Sequence, residues 1–103
     1  MSTDRELLEL AAKAAGLGDD VDAEGGGVWI KPDGFWRLWN PLTDDGDAFR
    51  LAVSLGLLVD AEPERAYVSS EISSLDEPAR CDLYAATRRA IVRAAAEIGR
   101  SLP

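Results

Sequence analysis

The run from Asp82 to Ser101 constrains this chain more than any other feature. It reads as one long helix whose apolar face is Leu83, Tyr84, Thr87, Ile91, Ala94, Ala95 and Ile98. Arg89, Arg93 and Arg100 lie towards the opposite face. Its many alanines favour helix and permit close approach to whatever covers the stripe. A chain of 103 residues has the size of one domain, so residues 1–103 are expected to share a single core with this helix.

The remaining segments supply the partners. Thr3-Asp4-Arg5-Glu6 has capping-box spacing, and Leu7, Leu8, Leu10, Ala11, Ala14 and Ala15 recur at helical spacing before Gly16 and Gly18. A first helix is expected over 4–16. The apolar stretch is interrupted by Asp4, Glu6 and Glu9, which suits an amphipathic helix and not a secretory signal. Residues 19–27 are acidic and then Gly-rich, and read as a loop. Val28 to Lys31 and Phe35 to Asn40 flank Pro32-Asp33-Gly34, a hairpin turn sequence. Large apolar groups fall on both faces of the second strand, so a sheet covered on both sides is expected. Thr43 is placed as the N-cap of a second helix, with Asp44, Asp45 and Asp47 at its positive end. Ala48, Leu51, Ala52 and Leu55 form its buried stripe, and Gly56 closes it. Leu57 to Ala61 and Arg65 to Ser70 read as a weaker hairpin around Glu62-Pro63-Glu64, and 71–81 as irregular. The expected fold is α+β in the order α-β-β-α-β-β-α. Its antiparallel sheet carries helices on both faces, a three-layer α/β/α sandwich.

Charge narrows the class of partner. The net charge is −8. Residues 1–77 carry 6 basic and 17 acidic side chains, whereas residues 78–103 carry 5 basic and 2 acidic ones. Such a body repels nucleic-acid phosphate and anionic membrane surfaces. It attracts basic protein surfaces, including those that normally hold DNA or RNA. No apolar run reaches the ~20 residues of a bilayer span. The single cysteine, Cys81, cannot form an internal disulfide, which fits a reducing, cytoplasmic setting.

Templates for chemistry fail on named residues. The chain has no histidine, which removes the usual general base and metal ligand. Cys81 has Arg80 beside it but no partner base, and reads as structural. Asp20-Val21-Asp22-Ala23-Glu24-Gly25 echoes half of a calcium loop, but Lys31 stands where a bidentate glutamate is needed. Asp44, Asp45 and Asp47 are explained by capping and the helix dipole without a metal. Gly25 to Gly27 follow a loop and precede no helix, so a phosphate loop is excluded. The chain is therefore read as a non-enzyme with no cofactor and no metal.

Three blocks carry a resemblance to a known family. They are Glu6 to Gly16, Trp39-Asn40-Pro41-Leu42-Thr43-Asp44-Asp45-Gly46-Asp47-Ala48 continuing to Val53, and Tyr84 to Gly99. These resemble the phage ABA sandwich domain family, small phage and prophage proteins of unknown function. The resemblance implies a phage setting and helices on both faces of a sheet, and brings no catalytic residues with it.

What is left is a binding surface. Trp29, Trp36 and Trp39 fall within eleven residues and, with Arg37, offer the residue types of interface anchors. With Asp44, Asp45 and Asp47 they form the candidate partner-binding set. The leading expectation is a phage accessory protein that binds a basic protein surface, such as a CRISPR-type antiviral effector. The alternatives are a nucleotide-sequestering protein that stacks a base on Trp and Arg, and a phage structural or assembly protein. Either a monomer or a homodimer fits, because the second hairpin leaves an edge.

Overall fold

A computed structural model describes residues 3–17, 22–24, 27–30, 35, 37–80 and 82–103. The elements run α1 (Asp4–Ala14), β1 (Asp22–Glu24), β2 (Gly27–Ile30), β3 (Arg37–Trp39), α2 (Asp45–Leu55), β4 (Leu58–Glu62), β5 (Arg65–Ser69), β6 (Ser74–Pro78) and α3 (Leu83–Ser101). The class is α+β as expected, with helices packed against antiparallel strands.

Local chemistry explains the helix ends. The Glu6 N–H donates to Thr3 Oγ1 at 3.2 Å, one half of the expected capping box. At the other end of α1, Leu17 N–H reaches Ala12 O at 2.8 Å around Gly16, which holds φ +78°. Helix α2 closes in the same way on Gly56 at φ +63°. Its start differs from the expectation. Asp44, not Thr43, is the N-cap and accepts the Asp47 N–H at 2.8 Å, while the Thr43 hydroxyl turns back to Asn40 O. A carboxylate satisfies the orphan amide at the positive helix end better than a hydroxyl. Asp82 caps α3 through the Ala85 N–H at 3.1 Å.

The strands form two three-stranded sheets, β1-β2-β3 and β4-β5-β6, in place of the one expected. Two strands were not expected. Asp22–Glu24 falls in the segment read as a loop, yet it pairs with β2 from Asp22↔Trp29 to Glu24↔Gly27. Backbone pairing to a well-formed neighbour overrides its acidic, low-propensity composition. Ser74–Pro78 falls in the segment read as irregular, and its pairing runs from Arg65↔Pro78 to Ser69↔Ser74. Arg65 grips Asp76 at 2.9 Å across this pair, and Glu77 reaches inward to Arg93 at 2.5 Å. These charges serve the strand, although they made it look like a loop.

Helix α3 is the common support. It packs against α1, α2 and all three strands of the second sheet. Its buried residues therefore wrap much of its circumference and include Ala86, Ala90, Val92, Ala96 and Gly99 beyond the expected stripe. Its arginines tie it to the acidic body. Arg88 pairs with Asp45 at 2.6 Å, Arg89 with Asp4 at 3.1 Å and Arg93 with Glu77. Tyr84 is the exception on the expected apolar face, since 73% of it is exposed.

Candidate functional site: an apolar groove

Cross-strand partners share a face of a sheet, so register decides what each sheet shows to solvent. In the first sheet the paired Val28 and Trp39 are buried, as is Ile30. Trp29 and its partner Leu38 face outward and are exposed. That face is open, contrary to the expectation of a sheet covered on both sides. It also divides the expected Trp-Arg surface. Trp39 belongs to the core at 3% exposure, Trp29 points out, and Trp36 lies outside the described residues. Arg37 shares the inward side with Ile30 and approaches Asp47 at 3.8 Å. Trp29 and Arg37 therefore belong to opposite faces of the sheet.

The acidic trio is divided as well. Asp44 caps α2. Asp47 is buried, accepts the Asn40 N–H at 3.0 Å and receives Arg50 at 2.8 Å. Only Asp45 lines a concave surface, where it meets Arg88. Cys81 lies outside the described residues, as do Asp20, Val21, Gly25 and Lys31 of the calcium-loop reading, whereas Asp22–Glu24 of that reading form β1. Among the described residues, no cluster of three or more His, Cys, Asp or Glu is placed to hold a metal ion.

The concave surface is a groove of about 740 Å³ between α2, β4 and the first half of α3. It arises because the helix layer covers β4 less fully than β5 and β6. In the second sheet the covered face carries Ala66 and Val68 of β5, both fully buried against α3. Their partners on β4, Ala61 and Val59, stand on the same face but are exposed, Val59 by 37%. Across the gap α2 presents Phe49 and Val53, one turn apart, at 69% and 63% exposure. Ala48 and Ala52 lie beside them and let α2 sit close to α3. Leu83, Tyr84 and Ile91 form the α3 wall.

Two polar side chains of the groove, Thr87 and Arg88, are engaged within the chain. The Thr87 hydroxyl donates to Leu83 O at 2.7 Å. Arg88 donates to Leu42 O at 2.8 Å and to Asp45. The groove therefore suits a mainly apolar ligand, because its lining is dominated by apolar side chains and the Thr87 and Arg88 side chains are already hydrogen-bonded. Sequence reasoning missed this site, although Phe49 and Val53 carry a signal: they place a second apolar stripe at i, i+4 beside the expected one.

No helix among the described residues is long and apolar enough to cross a membrane. Comparison of the chain with protein-family models, with curated proteins and with solved structures finds no match to any of them.

Proposed function

We propose that this chain is a non-catalytic binding module that takes an apolar segment of another protein into the groove between α2, β4 and α3. The observation that carries the reading is the exposure of Phe49, Val53, Val59 and Tyr84 around one cavity. Contiguous apolar surface of this kind marks interaction sites in folded domains. The net charge of −8 favours a partner with a basic surface, since opposite potentials steer association and suppress wrong encounters. A nucleic-acid-handling protein, for which an acidic module competes with the natural polyanion, is the target class this favours. A phage-encoded inhibitor of host defence is one instance of that class.

The test is a photo-cross-linking amino acid in place of Phe49, in cells that naturally express the chain. One discrete adduct with another polypeptide is expected, and it should disappear when Val53→Asp is added. Absence of an adduct, or an adduct indifferent to Val53→Asp, overturns the reading.

A further inference from the structure

The second sheet has two edges, and they are built differently. Ala79 N–H donates to Glu64 O at 3.0 Å and Ser70 N–H donates to Ser73 O at 2.8 Å. Even-numbered residues along β5 thus bond towards β6, and odd-numbered ones bond towards β4. The β4 partners of Arg65, Tyr67 and Ser69 are Glu62, Asp60 and Leu58. The backbone N–H and C=O of Val59 and Ala61 therefore point away from β5, into the open edge. That edge borders the groove. By the same alternation Ser74, Asp76 and Pro78 face the outer edge of β6. There Pro78 offers no N–H, and Glu77 is turned inward to Arg93. Proline and inward charges are the usual devices that blunt an edge strand. Strand β4 has neither: its inward side chains are Val59 and Ala61, and its pairing with β5 runs unbroken over five residues.

We propose that β4 is a docking edge, on which an extended segment of another protein adds as a fourth strand and lays alternate apolar side chains into the groove. This rests on the groove being the binding site, and it specifies how the partner is read. Residues opposite Val59 and Ala61 point inward, over Tyr84 and Ile91. Residues between them point outward, beside Leu58, Asp60 and Glu62. Glu62 is held by Arg65 at 3.3 Å, whereas Asp60 has no ion-pair partner among the described residues. Opposite-charge pairs across a strand pair are favourable, so the outward position facing Asp60 selects Lys or Arg. The occupant is an extended segment that alternates apolar and basic residues. A second copy of this chain fits poorly. Antiparallel self-pairing along the whole strand sets Asp60 against its own symmetry mate, and like charges directly opposite are destabilising.

The test uses the intact chain and two synthetic peptides of equal composition, each about nine residues of Val and Lys. One alternates strictly and the other has helical spacing. Binding is followed by amide NMR and hydrogen exchange. The alternating peptide should bind and slow exchange at the Val59 and Ala61 amides at least tenfold. Asp60→Lys should weaken it at least fivefold, and Ala61→Pro, which removes one outward amide, should abolish it. Thermal melts verify that both variants fold. Binding that leaves those amides unprotected, or preference for the helical peptide, overturns strand addition while the groove stands as a binding site. If neither peptide shifts signals from α2 or α3, both readings fall. Dimerisation through β4 that the alternating peptide cannot displace overturns the proposed occupant.

Discussion

The carboxylate of Asp47, buried in the first turn of α2, accepts the backbone N–H of Asn40 at 3.0 Å and so ties the end of β3 to the helix. The same group receives Arg50 and lies near Arg37. Removing it strands a backbone donor and loosens two cations. Asp47→Ala should destabilise the fold by about 2–4 kcal/mol in urea titration, because a broken buried network costs more than its mean hydrogen bonds suggest. Asp47→Asn keeps one acceptor and should cost less than Asp47→Ala.

Helices α1 and α3 meet most closely at Gly99. A Cβ there would overlap the carbonyl oxygen of Leu10 and lie 2.8 Å from its carbonyl carbon. Backbone atoms cannot step aside as a flexible side chain can. Gly99→Ala should therefore cost about 1–3 kcal/mol by overpacking. A melting temperature lowered by about 10 °C checks this.

Arg80 holds φ +52°, a left-handed conformation that strains a residue with a Cβ. Glycine adopts it freely. Arg80→Gly should raise stability by about 0.5–1 kcal/mol, partly offset by the entropy glycine loses on folding. Urea midpoints of the two proteins decide the sign.

Phe49 and Val53 are mostly exposed. The double substitution Phe49→Ser, Val53→Ser should leave stability within about 0.5 kcal/mol. It should also remove most of the fluorescence gain of an apolar dye bound to the groove. Loss of the fold instead would mean that the groove wall is structural.

Arg65 is hydrogen-bonded to Asp76 and to Glu62 and sits 6.0 Å from the Tyr67 ring centre. The hydrogen bonds to these two acids raise its pKa above the ordinary arginine value. The Arg65 side chain is half exposed, so neighbouring water screens the pairing. Asp76→Asn should be nearly silent in thermal melts, and any residual difference should shrink as salt rises.

Helices were legible in the sequence because periodicity and caps act over a few residues. Thr3, Gly16, Gly56 and Asp82 mark ends that the structure shows. Strands were less legible, because their stability comes from neighbours distant in sequence. Nothing within Ser74–Pro78 announces a strand until Arg65 and Arg93 are placed beside Asp76 and Glu77. The candidate site was hidden for a related reason. Trp39 looks like an interface anchor by residue type but is buried on the inner face of the first sheet, whereas Val59 looks like core and is left partly uncovered. Exposure is decided by where the helix layer ends, which no local pattern encodes.

The central place of α3 has a consequence for synthesis. The other two helices and the second sheet all lean on a segment that a ribosome makes after them. Until that helix has left the exit tunnel, α1, α2 and the second sheet lack the surface they pack against. The nascent chain is therefore expected to hold β4 and β5 at best as a marginal hairpin until then, and to close in one late, cooperative step.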